Sequence, residues 1–198
     1  NKTLISNIIN EKESFSICIY DHQSNVIGHL KPITKSTLKL HDVIKKLTEW
    51  RNNFSQYFLT QFLATDERTI NWLKNIVLQD HGKLLFIIND ENNNQIGHIG
   101  FTRLSENDVE LDNFIKGESL GHKQISYFAE IAMIKWIFET LKIKSIYGYA
   151  FSDNIVALML HKEVGFKLCE LYELNKKING KDIIYERSLD KKSNCNRY

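Results

Sequence analysis

The sequence is short of the residues that punctuate or cross-link a chain. It has a single proline, nine glycines and three cysteines in 198 residues. Without a Pro/Gly/Ser-rich stretch or an internal repeat there is no linker to divide it, so one domain is expected. The cysteines (Cys18, Cys169 and Cys195) are odd in number and have no metal-ligand spacing. That argues against a disulfide framework and a metal site, and for reduced thiols in a cytoplasmic protein. Long hydrophobic runs are missing too. Stretches such as Leu84 to Ile88 are far too short to span a bilayer, and the opening "NKTLISNIINEKESF" has no sustained apolar region of the kind a leader needs. Neither sign of charge dominates, with 26 basic against 24 acidic residues and a formal net charge of +2. There is no basic stripe, so neither nucleic acid nor a membrane is expected as a partner.

What remains is a chain that is 42% hydrophobic, enough for one sizeable core. Two apolar stretches, 14–21 and 25–33, flank the polar "HQSN" and predict a hairpin. In "LHDVIKKLTEWR" the period changes, with Leu40, Val43, Leu47 and Trp50 at helical spacing. "NNFSQYFLTQFL" predicts a loop or broken helix. A second helix follows in "TDERTINWLKNIVLQD", capped by Thr65 or Asp66, with Ile70, Leu73 and Ile76 on one face. Strands return in "KLLFIIND", "NQIGHIGFTRL" and 108–117. The strongest helix is "YFAEIAMIKWIFETL", with Ser126 as cap and Phe128, Ile131, Ile134, Phe138 and Leu141 as its buried stripe. A strand, "IKSIYGYAF", leads to a short helix capped by Ser152 or Asp153. Two strands, "FKLCELYEL" and "KDIIYERSL", close the chain around "NKKING". The expected fold is α/β: a mixed, mostly antiparallel sheet with one β-α-β crossover and helices on both faces. The expected domain is 1–190, with 1–36 as an N-terminal strand-hairpin extension and 191–198 as a polar tail.

This order, with "WRN" (50–52), "IGHIGF" (96–101), "ELDNFI" (110–115) and "DNIVALMLHKEVGF" (153–166), resembles the GCN5-related N-acetyltransferases. The likeness spans about residues 40–190. It is most specific where Asn154, Ala157, Leu160, His161, Gly165 and Phe166 fit N-x-x-A-x-x-L-[YH]-x-x-x-GF in register. "WRN" and "IGHIG" look more like the branch that acts on ribosomal-protein termini and amino-sugar nucleotides. The resemblance implies acetyl-CoA as cosubstrate. It also implies two central parallel strands, at 110–115 and 146–151, that splay apart after a bulge. The pantetheine arm then pairs with the backbone of Phe114 and Ile115, and the pyrophosphate sits at the following helix N-terminus. That loop departs from the family pattern. Gly121 stands for the usual Arg or Gln, Gln124 for the first Gly, and Ser126 for the second Gly or Ala. His122 and Lys123 add charge, while Gln124 puts a side chain where backbone should approach phosphate closely. Gly121, His122, Lys123, Gln124, Ile125, Ser126 and Asn154 are the remaining cofactor-binding candidates.

Acetyl transfer to an amine needs a base, donors for the tetrahedral oxyanion, and an acid for the leaving thiolate. The resemblance puts His161 near the thioester sulfur as the acid; packing on the helix is the alternative. Asn154 has a cofactor role or a capping role. Glu110 and Asp112 are base candidates, since both lie on one face of a regular strand. Ion pairing is their alternative, and His98 is a further base candidate or a satisfied sheet histidine. Arg51, Asn52 and Phe54 fall where the family forms its acceptor pocket, with Tyr57 and Phe58 as stacking surface or core. Arg51 would hold a phosphate or carboxylate. The leading expectation is direct acetyl transfer, in a ternary complex, to the primary amine of a small acceptor, a nucleotide-linked amino sugar. A protein N-terminus is the second acceptor class, and a silent domain that only binds a partner is the third reading, motivated by the altered loop. A shared sheet edge would allow a homodimer.

Overall fold

The computed structural model describes residues 1–188 and 195. Its elements are α1 (Lys2–Ile9), β1 (Ile17–Tyr20), β2 (Val26–Pro32), α2 (His41–Asn53), β3 (Thr60–Gln61), α3 (Asp66–Trp72) and β4 (Leu84–Asp90). β5 (Gln95–Thr102), β6 (Asp108–Lys116), α4 (Ile125–Trp136), β7 (Ser145–Gly148), α5 (Ile155–Val164), β8 (Leu174–Asn179) and β9 (Asp182–Arg187) follow. Six strands form the main sheet in the order β1-β2-β4-β5-β6-β7. All its pairings are antiparallel except β6 with β7, the two strands that α4 connects. β3, β9 and β8 form a separate three-stranded sheet. This is the mixed, mostly antiparallel α/β fold expected from the element order.

Helices cover both faces of the main sheet. Every residue of β4 is buried, as a strand enclosed on both sides requires. On one face, Trp136 of α4 meets Phe86 of β4 and Phe101 of β5, with ring centroids 6.1 and 6.2 Å away. On the other, Trp50 of α2 lies 6.1 Å from His98 of β5. Pairing keeps Leu84, Ile99 and Phe101 on the α4 face and His98 on the α2 face.

Several local expectations need correction. The first residues form a helix, not only a lead into a hairpin: Ile5, Ile8 and Ile9 of α1 enter the core. β1 and β2 are integral strands of the main sheet, so 1–36 is no mere extension. At the other end, 166–173 is not a strand; "NKKIN" (175–179) belongs to β8 itself. The chain reverses at Gly180–Lys181, between the paired Asn179 and Asp182, with Gly180 at φ +61°. Helical stripes also differ. α3 and α4 both run into a π turn, Leu73–Val77 and Ile137–Leu141, which advances the buried row. Val77 and Ile137 are therefore buried while Ile76 and Phe138 are exposed. The tail assigned to 191–198 lies outside the described residues except at Cys195, and all three cysteines are free thiols. Among the described residues, no helix is long and apolar enough to cross a membrane.

Candidate active site

The site starts from an incomplete strand pair. β6 and β7 pair in parallel only from Asp108–Ser145 to Leu111–Gly148. β7 then ends while β6 runs on to Lys116, so the edge of β6 from Asp112 onward has no strand beside it. On its other edge β6 carries one extra residue. His98 pairs with Ile115 but Gly100 pairs with Asp112, which leaves three steps on β6 against two on β5. The bulge centres on Asn113, whose φ is +54°. His98 Nδ1 hydrogen-bonds Asn113 O at 2.6 Å and so fastens the bulge to β5.

The extra residue shifts the side-chain phase. Glu110 and Asp112 pair with Thr102 and Gly100 in regular register and lie on the α2 face with His98. Beyond the bulge the alternation inverts. Phe114 turns to the α4 and α5 side, where its ring is 6.4 Å from that of His161. One strand therefore shows carboxylates on one side and an aromatic neighbour of His161 on the other, with its open edge between them.

Glu110 is buried and ion-paired to the largely exposed Arg103. Desolvation pushes its carboxyl above the ordinary range; Arg103 opposes this and the nearby Asp112 adds to it. A carboxylate held above its usual range, beside an open strand edge, suits proton removal from an ammonium. Asp112 has both oxygens on Asn113: Oδ1 accepts from the backbone N at 2.7 Å and Oδ2 from Nδ2 at 2.6 Å. Its charge also favours the protonated form of Arg51.

Arg51, near the end of α2, is wedged among aromatics. Its guanidinium carbon lies 3.5 Å from the Phe58 ring centroid and 5.0 Å from that of Phe62. Nη2 donates to Thr60 O at 2.6 Å, while Nη1 is buried with no partner among the described residues. Burial lowers this guanidinium to about 10, so it remains charged at neutral pH. The other residues expected around the acceptor behave differently. Both ends of the Asn52 amide hold Ala64, with Oδ1 accepting from its N at 2.8 Å and Nδ2 donating to its O at 3.1 Å. Asn52 is thus a staple for the loop after β3. Phe54 packs on the main core. His98 is 4% exposed, and burial pushes its imidazole down to about 4; the bond to Asn113 O opposes the shift and Arg51 adds to it. At neutral pH it is an uncharged pin for the bulge.

The loop before α4 departs from expectation in its cap. Gln124, not Ser126, occupies the N-cap position, and Ser126 sits in the first turn. Gly121 takes φ +76°, and a Cβ there would come 3.1 Å from Asp90 Cβ. His122 occupies two of the amides near the helix start. Its carbonyl accepts from Ile125 N at 3.0 Å and its Nδ1 from Gln124 N at 3.2 Å. Ile125 itself is fully buried and anchors the helix in the core, so neither its N–H nor its side chain is open to a ligand. The N–H groups of Ser126 and Tyr127 have no backbone partner, and the Gln124 and Lys123 side chains are exposed. These two N–H groups leave this end of α4 suited to an anion, one position further into the helix than the family pattern has it. The fit to acetyl-CoA rests on this end and on the open edge of β6.

The helix "IVALMLHKEV" (α5) has Asn154 as its N-cap, with Oδ1 accepting from Ala157 N at 3.3 Å; Ser152 and Asp153 precede the cap. His161 is near its end, 5.5 Å from the Phe166 ring. Its Nδ1 is 2.6 Å from Glu130 Oε1 on α4. Glu130 was not among the expected site residues. Its only signal was an acid inside the most apolar helix of the chain. Arg103, the partner of Glu110, was also missed, because a turn residue after a strand gives no pattern.

A splayed parallel pair, a bulged strand with carboxylates beside the gap, and a helix N-terminus suited to an anion are the features of an acyl-CoA-dependent transferase fold. The acetyltransferase (GNAT) domain model matches residues 33–167, more than half of the chain, and the chain belongs to that family. It is an acetyl-CoA-dependent N-acetyltransferase. It is 29% identical over 127 residues to the acetyltransferase PseH of Campylobacter jejuni, covering 63% of this chain and 77% of that protein. Among solved structures, a GNAT-family acetyltransferase from Bacillus anthracis superimposes with a TM-score of 0.62 at 17% identity, over 80% of this chain and 87% of that one. Spermidine N-acetyltransferase from Vibrio cholerae, in complex with CoA and spermine, gives 0.61 at 17% identity, over 79% and 91%. These two likenesses concern the fold.

Proposed function

We propose that the acceptor is the primary amine of a nucleotide-linked amino sugar, acetylated by direct attack on the thioester in a ternary complex. The observation that carries this reading is Arg51. Its Nη1 is a buried, charged donor without a partner among the described residues, and an orphaned donor of this kind is costly unless a ligand answers it. It lies on the α2 side with the Phe58 and Phe62 rings around it and Asp112 near enough to favour its charge. A diphosphate or sugar carboxylate answers the guanidinium, and the aromatic surface suits a base or a sugar ring. Glu110 takes the proton from the ammonium. The open edge of β6 at Phe114 and Ile115 receives the thioester arm, and Ser126 and Tyr127 N–H receive the pyrophosphate, with Lys123 and Gln124 alongside.

The test is thiol release from acetyl-CoA with four acceptor sets: nucleoside-diphosphate amino sugars, free amino sugars, polyamines, and peptides with free N-termini. The expected result is the highest kcat/KM for a nucleoside-diphosphate amino sugar. Preference for a peptide would replace this reading with N-terminal acetylation. Acceptance of free amino sugars as readily as their nucleotide forms would remove the anionic anchor.

A further inference from the structure

Glu130 is fully buried on α4 and 31 positions from His161 in sequence, yet it meets His161 Nδ1 at 2.6 Å. Its second oxygen, Oε2, is buried without a partner among the described residues. A buried carboxylate is expensive unless it is paired and hydrogen-bonded. Among the described residues His161 is its one hydrogen-bonding partner, and with the carboxylate ionised that bond is donated by a proton on Nδ1. An ionised carboxylate only accepts, and an unprotonated Nδ1 would leave two acceptors face to face. The ring nitrogen remaining for chemistry is then Nε2, which makes no hydrogen bond among the described residues. Packing sets the ring from both sides, through Phe114 of β6 and Phe166 after α5.

We infer that Glu130 is a positioning residue that fixes His161 in the Nδ1–H form and presents Nε2 to the thioester. This inference rests on the acetyl-transfer reading. In the reaction, Glu110 takes a proton from the ammonium, the freed amine forms a bond to the acyl carbon, and the second nitrogen proton passes to solvent as the amide forms. The carbon–sulfur bond breaks, and the sulfur takes the proton from Nε2 of a doubly protonated His161. The ring that remains is neutral and already in the correct tautomer, with Nδ1–H still on Glu130, and Nε2 is recharged from solvent. The carboxylate holds the orientation and tautomer throughout and itself gains no proton.

The test has two arms. In protein with 15N-labelled histidine, the His161 signals are assigned by their loss in His161→Phe. The neutral ring is expected to be the Nδ1–H tautomer in the wild type and a mixture in Glu130→Gln. The Nε2–H tautomer in the wild type would overturn the inference. This arm needs no substrate, so it stands even if the acceptor proposal fails. In the second arm, Glu130→Gln lowers kcat roughly tenfold or more, as loss of an aligned general acid would. The KM for acetyl-CoA stays within about twofold on the same basis, because the site for the cofactor is untouched. In the His161→Phe background the same substitution causes no further loss. An equal loss in both backgrounds would mean that Glu130 acts only on folding, and would sink the assignment. A thermal melt accompanies each variant, and if Glu130→Gln does not fold, the wild-type tautomer alone decides.

Discussion

Replacing Arg51 by Met keeps an unbranched stem against Phe58 and removes the guanidinium. In the free protein two effects oppose each other. The bond from Nη2 to Thr60 O and the stacking on Phe58 are lost; together these cost about 1–3 kcal/mol. The buried, unpartnered Nη1 is lost as well, which returns about 1–3 kcal/mol of desolvation. The net effect on stability is small, a shift in Tm of no more than about 4–8 °C in a domain of this size. Binding is different. A charge-assisted bond between Nη1 and an anionic group of the acceptor is worth about 1.5–3 kcal/mol. Its loss lowers kcat/KM for the acceptor roughly 10- to 150-fold. The site proposed for acetyl-CoA, the open edge of β6 and the α4 N-terminus, is away from α2, so its KM should change little. Initial rates with each substrate varied at saturating levels of the other, and a melt on the same samples, make the comparison. A parallel rise in both KM values, or a Tm loss far beyond this range, would show that Arg51 only holds the β3 loop and would remove the anchor from the account.

Two further consequences concern the scaffold. His98 is held at about 4 in the fold against an ordinary value near 6.5. The unfolded chain therefore binds the extra proton first as pH falls, so the contribution is full above about pH 6.5 and is lost between there and about pH 4. The shift corresponds to about 3 kcal/mol, and His98→Gln should flatten this part of the Tm–pH curve; an unchanged slope would refute it. Gly117 lies against Trp50, where a Cβ would sit 2.2 Å from the indole, and Trp50 is itself tied to Glu118 Oε1 by its Nε1–H at 3.0 Å. Gly117→Ala should cost about 1–3 kcal/mol in a chemical melt, and no change would mean that α2 can shift freely.

What could be read in advance is what rests on short-range rules. Thr65 is the cap expected for α3, and β4 is buried on both faces because its run of apolar residues is unbroken. The element order and the motif around α5 were enough to place the gap between β6 and β7. What could not be read depends on the third dimension. The π turns displace Ile76 and Phe138 because one extra residue per turn breaks a 3.6 period. Six of the eight residues of α1 are Ile, Thr, Asn or Ser, weaker helix formers, and the helix is held by the burial of Ile5, Ile8 and Ile9 more than by propensity. Leu168 and Leu171 belong to an apolar stretch that predicts a strand but are exposed, with no strand formed there. Asn52 and His98 were candidates because they are polar residues inside motifs, yet their partners, Ala64 and Asn113, are 12 and 15 residues away in the chain. The pairing of Glu130 with His161 spans 31 residues and two helices, a relation no spacing rule contains.

The claim on which all of this depends is that the altered loop at Gly121–Ser126 and the open edge of β6 hold acetyl-CoA. Calorimetric titration of the purified chain with acetyl-CoA, alongside free CoA, tests it directly. Micromolar binding of both, with one site per chain, is predicted. No heat at millimolar ligand from a protein that still melts cooperatively would contradict the account, because the fold would then be present without the site it is said to build.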